Sequence, residues 1–576
     1  MKRKNPLAIF GSWLALALAP EHATQAADST SASASQTSGA ITGAVSNAAS
    51  RNLLEGAQVT IPALGVGALT DNTGRYVLIG VPSGTHEIVA SYTGLDPVKA
   101  QVTVGAGQRA THDFDLTSGI YQLDAFKVTG EREGNASAIT AQRNAPNVKN
   151  VVAIDAFGNL PNMNASELAV LLPGVAGNLS DEGNIVGFTI RGMGPGFNTI
   201  TIDGALMGSQ NGANRQTRIH NITGSMFDSL ELTKGHRPDQ GMDSLGGTVN
   251  LKSRSPLSMT EKRRVSYNLS ARLAHPGKPQ TARREDHPIH PLLNVAYQEV
   301  FGVFGGERNL GVALNLFYSE QVIGMFSTAR NFQNTTSQPA YLWDYTTADQ
   351  YNNRKQSSVN AKFDYRLSAS TRISLNMIYN DAFERFLERH GFRAFAGNAN
   401  TVPGATSGIV PGFTSRVTEV RAVAGSNMEI SSSRVNWLHR QRHVDLGVEH
   451  EFGPLRLDYN VVRSIDRINS GNADGGSLVN RTIAPVGWII DRTQSDLYPR
   501  IIQTAGPDIT KPASYLPASY NFSDNKAAHE VAEARANARY KLPTEVTLYI
   551  KTGARWREEF VGDKNKSRRY LFTGAN

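Results

Sequence analysis

Apolar and polar residues alternate over long stretches of this chain, with the period of a strand and not of a helix. At 265–273, Val265, Tyr267, Leu269, Ala271 and Leu273 alternate with Ser266, Asn268, Ser270 and Arg272. At 359–367, Val359, Ala361, Phe363, Tyr365 and Leu367 alternate with Asn360, Lys362, Asp364 and Arg366. One face of such a strand suits an apolar medium and the other suits water. Short connections at Gly453-Pro454, 368–372 and 543–545 take turns with long polar ones at about 323–356, 382–433 and 465–528. A soluble sandwich also alternates, but this succession of tight and long connections predicts an antiparallel transmembrane β-barrel. The count is about nine strands, the last over 546–560. Tyr318, Tyr379 and Tyr459 near strand ends suit either a membrane interface or ordinary packing.

Upstream the pattern is shorter in range. Over 40–117, short β-type runs separated by Gly, Pro and Asn turns predict a small β-sandwich. At 164–172, Asn164 can cap a short helix with Glu167 in its first turn, and Pro173-Gly174 ends it. Phe188 and Ile190, then Ile200 and Ile202, mark two half-buried strands on either side of a glycine turn. Gly192, Gly194 and Gly196 lead into another strand pattern, not a helix, so a tight turn explains them better than a phosphate cradle does.

Length and composition narrow the class. At 576 residues the chain has room for several domains. Cysteine is absent, which excludes disulfides, thiolate zinc sites and cysteine nucleophiles. The net charge of +8 is dispersed among acidic residues, without the basic stripe and interleaved aromatics of a nucleic-acid surface. The excess suits anionic lipid headgroups or a plain solvated surface. Residues 1–27 carry Lys2, Arg3 and Lys4, an apolar run over 7–19 and small residues at Ala26 and Ala27, the make-up of a cleaved secretory signal. The run falls short of the roughly 18 apolar residues of a spanning helix. Residues 28–39 read as a flexible leader. A mean hydropathy of −0.32 fits an exported chain that crosses a membrane with strands.

Four boxes then stand in order: Ile190-Arg191-Gly192, Ile202-Asp203-Gly204, Leu230-Glu231-Leu232-Thr233-Lys234-Gly235 and Gly246-Gly247-Thr248-Val249-Asn250. Together they resemble the plug domain of TonB-dependent outer-membrane receptors. The resemblance divides the chain into a signal peptide (1–27), the leader, a carboxypeptidase-regulatory-like sandwich (40–117), a Ton-box segment and linker (118–149), an α+β plug (150–254) and a partial barrel (255–576). Within the sandwich, the run from Asp71 through Asn72, Thr73, Gly74 and Arg75 to Tyr76 is the hairpin signature of that module. The fold class is therefore mainly β. Receptors of this kind have about 22 wall strands, and an open edge in hydrocarbon leaves backbone groups unpaired. The expectation is an N-terminal fragment of a longer receptor.

By the same resemblance, Leu123, Asp124, Ala125, Phe126, Lys127, Val128 and Thr129 form the Ton box, an extended segment suited to strand addition on TonB. A linker strand of the sandwich is the alternative. The arginine of the first box, Arg191, is expected against wall carboxylates as part of a lock between plug and barrel. Ligand contacts are expected at Met193 and Phe197, and at Gln210, Asn211, Asn214 and Arg215, whose amides suit a hydroxyl-rich ligand. The run from Lys234-Gly235 to Asp239 and the amides favour glycan over iron-siderophore import. The implied partners are TonB with its inner-membrane energising complex, outer-membrane lipid and lipopolysaccharide, and a small nutrient; no nucleic acid is expected. A surface-binding or signalling receptor is the competing class.

Catalysis finds little footing. No nucleophile, base and orienting group converge, and no cofactor is implied. Asp71 to Gly74 lacks the ligand ladder of a calcium loop and reads as an Asx-type turn. His287 with His290, and His439 with His443, lack a third ligand and read as solvated histidines, not a metal site.

Overall fold

The computed structural model describes residues 38–118, 133–154, 164–180, 183–208, 222–235, 241, 243–253, 255–273, 289–336, 338–472, 477–479, 481–515, 518–544 and 548–572. The signal segment, the Ton-box residues Leu123 to Thr129, the candidates Gln210, Asn211, Asn214 and Arg215, and His287 lie outside them.

The first unit holds strands β1 (Gly39–Asn47), β2 (Gln58–Ile61), β3 (Val66–Leu69), β4 (Arg75–Val81), β5 (Gly84–Tyr92), β6 (Leu95–Val104), β7 (Arg109–Thr111) and β8 (Phe114–Leu116). They form two four-stranded sheets, one with β1 between β4 and β7/β8, the other in the order β3-β2-β5-β6. Alternate residues such as Ile41, Val45, Leu78 and Ile88 fill the space between the sheets. Asp71 forms the expected Asx turn, its Oδ1 accepting from Thr73 N at 2.8 Å and Arg75 N at 3.0 Å.

Helix α1 (Glu133–Arg143) lies within the stretch expected to be linker. Its buried face is made of small residues: Ala136 joins the sandwich core, and Ala138 meets Val151 and Ala153. Ile139, its largest apolar residue, is exposed, so no apolar stripe announced the helix. Helix α2 (Ala165–Ala169) is capped as expected, with Asn164 Oδ1 accepting from Glu167 N at 2.9 Å. It ends before Leu172, because Leu171 and Leu172 tighten onto the carbonyls three residues back.

The inner domain is built on strands β9 (Lys149–Ala153), β10 (Val175–Leu179), β11 (Ile185–Ile190), β12 (Asn198–Ile202), β13 (Ala205–Leu206), β14 (Ser229–Thr233) and β15 (Gly247–Lys252). Five of them pair in the order β13-β12-β15-β14-β9, with β10 and β11 as a separate hairpin. Strand β12 is buried at every position, not half-buried as the alternation of Ile200 and Ile202 predicts, and β14 is likewise buried throughout. Their apolar faces meet Leu168, Phe188 and Ile378 in one core, and Thr199, Thr201, Glu231 and Thr233 on their polar faces line a cavity together with Arg535 and Asn537 of the wall.

Among the described residues the wall comprises nine long strands: β16 (Arg263–Leu273), β17 (Ile289–Phe301), β18 (Leu310–Gln333), β19 (Tyr341–Ser368), β20 (Thr371–Phe395), β23 (Asn436–Phe452), β24 (Leu455–Gly471), β29 (Ala518–Lys541) and β30 (Tyr549–Phe572). Each pairs antiparallel with the next. Short strands β21 (Val417–Val420), β22 (Asn427–Ser433), β25 (Ser477–Val479), β26 (Arg481–Ile483), β27 (Gly487–Asp491) and β28 (Arg500–Ala505) belong to the long connections.

The alternation is inverted relative to a soluble protein. On β23, Val444 and Leu446 are 42% and 43% exposed while Gln441 and His443 are wholly buried. On β19, Val359 is exposed, and Ser358, Asn360, Lys362 and Asp364 are buried. Apolar residues face out and polar residues face the inner domain, as in a membrane barrel.

The long connections depart from expectation. Residues 323–356 are mostly strand, since β18 and β19 run 24 and 28 residues, well beyond the roughly 9–11 that cross a bilayer. Away from the short turns these extensions gather an apolar core of their own, with Trp488, Tyr345, Leu342 and Ile409 buried beside the sheet β21-β27-β28. Among the described residues no helix is long and apolar enough to cross a membrane.

Candidate functional site

The polar face of the inner sheet and the inward face of the wall meet in one interface. At its centre is the turn between β12 and β13, where Asp203 and Gly204 have φ of 49° and 82°. Two successive left-handed residues close a two-residue hairpin, and Gly204 carries the second at no steric cost. The turn presents Asp203 to three elements. Its carboxylate accepts from Ser253 N at 2.9 Å and from Asn376 Nδ2 at 3.0 Å, and it lies 3.8 Å from Lys362 Nζ. Lys362 also donates to Ser253 Oγ at 2.6 Å. Gly204 O accepts from Arg535 Nη1 at 3.2 Å. Burial works to raise the Asp203 carboxyl, but Lys362 and the Ser253 and Asn376 hydrogen bonds outweigh it and hold it below the ordinary carboxylate range.

Asn250 links this turn to the sheet. Its Oδ1 accepts from Gly204 N at 2.8 Å and Thr201 Oγ1 at 2.9 Å, and its Nδ2 donates to Glu231 at 3.2 Å. Lys149 reaches Glu231 at 2.9 Å. Burial pushes the Glu231 carboxyl up, yet Lys252 and Lys149 bring it below its usual value. A second ionic group joins the inner domain to β29 and β30. Asp243 accepts from Arg557 at 2.6 and 2.8 Å and from Arg555 at 3.2 Å, and the buried Glu533 binds both arginines at 2.7 and 2.9 Å. Farther along, Gly208 N donates to Ser464 Oγ at 3.2 Å. Between the ionic groups lies a cavity of about 560 Å³ whose lining includes Thr199, Thr201, Thr233, Thr248, Asn250 and Asn537.

Residues 141–248 match the family model described as the TonB-dependent Receptor Plug Domain, and residues 40–117 match the Carboxypeptidase regulatory-like domain. The chain carries a TonB-dependent receptor plug domain. No curated protein matches the chain. Among solved structures it is similar to the ferric citrate transporter FecA in its unliganded form, at 11% identity over 78% of this chain and 62% of that one, TM-score 0.30. It is also similar to BauA, the ferric preacinetobactin receptor from Acinetobacter baumannii, at 12% identity over 75% and 62%, TM-score 0.30. A third is the ferric-catecholate import receptor Fiu from E. coli K12, at 11% identity over 73% and 63%, TM-score 0.31. The chain covers about three fifths of the length of each.

The plug boxes do not all sit where the sequence reading placed them. Arg191, expected against wall carboxylates, donates to Lys234 O at 2.7 Å within the plug. The described ionic links to the wall run through Asp203 and Asp243 instead. With φ of 53° and 80°, Arg191 and Gly192 form the tight turn of their box. Gly246 allows close approach, since a Cβ there would lie 2.2 Å from Asn198 Oδ1. Gly247 opens β15, and Gly235 follows β14. Met193 and Phe197 are 43% and 53% exposed.

The histidines also differ from expectation. His290, His439 and His443 are buried, not solvated, because the inward face of the wall is covered. His439 Nε2 pairs with Asp466 Oδ1 at 2.8 Å. Among the described residues no three metal-ligating side chains cluster. The sequence reading missed Lys362, Asn376, Asp243, Arg535, Arg555 and Arg557. Their signal was available in part: Lys362, Arg555 and Arg557 occupy the polar half of an alternating strand.

Proposed function

We propose that the chain acts as an outer-membrane TonB-dependent receptor, importing a scarce nutrient by shifting its plug inside the wall, and is not an enzyme. The observation that carries this reading is the inverted wall: Val444, Leu446 and Val359 exposed outward, with Gln441, His443 and Asn360 buried against a polar plug. A plug held by hydrogen bonds and ion pairs, with a polar cavity beside it, can move without exposing a large apolar surface. On this reading Leu123 to Thr129 engage TonB by strand addition, and the energised inner-membrane complex supplies the pull. The signal segment directs export from the cytoplasm, and in the outer membrane lipid and lipopolysaccharide surround the wall.

A hydroxyl-rich glycan is the favoured cargo. The cavity is lined by threonine hydroxyls such as those of Thr199 and Thr233, groups that both donate to and accept from sugar hydroxyls. The amides of Gln210, Asn211 and Asn214 add to this on the sequence alone. The test is uptake of labelled maltooligosaccharide and of ferric citrate by cells producing the full-length receptor, with and without residues 123–129. Oligosaccharide uptake that vanishes with the deletion while surface binding persists is the expected result. Uptake of ferric citrate alone would replace glycan by iron chelate. Binding without uptake in the intact receptor would favour a surface-binding or signalling role.

A further inference from the structure

The amino-terminal sandwich is joined to the passage between plug and wall, residues 253–262, by contacts that the import reading does not use. Leu53 N donates to Ser258 O at 2.7 Å and Thr260 N donates to Arg51 O at 3.1 Å, so Asn52 and Met259 face each other as an isolated antiparallel bridge. Arg264, at the foot of β16, donates to Asn52 Oδ1 at 2.7 Å. Lys252, the last residue of the plug sheet, reaches both carboxylate oxygens of Glu55 at 2.7 and 2.9 Å. The Asx turn adds a second footing: Thr73 accepts from Arg366 at 2.7 Å and Asn72 accepts from Arg372, both at the short turn between β19 and β20. One sandwich edge thus holds the end of the plug, the start of the wall and an inner turn of the wall.

We propose that the sandwich is an intramolecular clamp on the plug-to-wall joint, so that the mobility of the plug sheet depends on whether the sandwich is docked. The half-exposed Glu55–Lys252 pair holds little by itself, as such pairs do in water. The clamp works because backbone hydrogen bonds at the Asn52–Met259 bridge fix the register in which the pair and the arginine contacts form together.

The test is amide hydrogen exchange on the whole chain in lipid nanodiscs. The variant Glu55→Arg with Asn72→Ala and Thr73→Ala should raise exchange of the β12 and β15 amides roughly tenfold or more, by the loss of several hydrogen bonds. Protection of Ile88 and Ala90 in the sandwich core should stay unchanged, which separates undocking from unfolding. A second variant works in the opposite direction. Opposed residues in a non-hydrogen-bonded antiparallel pair have Cα atoms about 4.5 Å apart, within disulfide reach. The chain has no cysteine, so Asn52→Cys with Met259→Cys forms a single cross-link on oxidation. Oxidation should lower β12 and β15 exchange below that of the reduced form. Unchanged exchange in the first variant, or failure of the cysteine pair to cross-link while each single variant folds, would overturn the clamp. Neither readout depends on import.

Discussion

Asp203 is the side chain on which the plug-to-wall contact turns, because it meets Ser253 of its own domain and Asn376 and Lys362 of the wall at once. Its carboxyl is held below the ordinary range, near 4 in an unfolded chain. A depressed carboxylate contributes stability that is fully present above the unfolded value and is lost as pH falls through the folded one. The contribution of Asp203 to plug seating should therefore be constant above about pH 5 and be lost only in stronger acid. Asp203→Asn removes this acid-sensitive part and leaves Lys362 buried without its charge partner, a loss of about 1–3 kcal/mol. Urea titrations of wild type and variant across pH check both: the variant should be less stable at neutral pH and show a smaller loss in acid. The Asp203-Gly204 turn was legible because only certain residues accept two left-handed positions in succession. Its partners were not, since nothing local to Lys362 or Asn376 says which domain they face.

At the scale of elements, the wall strands were legible because their two faces meet different media, which writes a period of two into the sequence. The outer halves of β18 and β19 were not. There neither face is presented to an apolar surrounding, the alternation fades, and the strand resembles a polar loop until Trp488 and Tyr345 are seen packed together. Helix α1 carries no apolar stripe for a related reason, its buried positions being the small residues Ala136, Ala138 and Thr140. The direction of the alternation is open to test on β23. Val444 is already 42% exposed, so in a soluble sheet Val444→Arg would cost little. In a wall that faces hydrocarbon the same change costs about 2–4 kcal/mol near the bilayer midplane, falling toward zero at its edges. Urea titration of the chain in lipid vesicles distinguishes the two, and a neutral result would count against the membrane wall.

For the whole molecule, the arrangement of three units along one axis predicts which regions lipid reaches. The sandwich grips the short-turn rim through Thr73 and Arg366, and the apolar hood around Trp488 lies at the other end of the strands. Lipid should touch only the belt between them. This order was not written in the sequence, because Asn52, Asn72 and Thr73 look like ordinary turn residues until their partners at Arg264, Arg372 and Arg366 are in view. Two tryptophans report on it. Trp556 is 45% exposed on β30, opposite in facing to Arg555 and Arg557, which turn inward to Asp243. Trp488 is fully buried inside the hood. In variants that keep one of these two and lack every other tryptophan, lipids brominated along their acyl chains should quench Trp556 strongly. Trp488 should be left nearly unchanged, because its packing beside β21 and β28 keeps it away from acyl chains. Quenching of Trp488 with Trp556 untouched would place the hydrocarbon at the hood, and the inverted wall would then need another explanation.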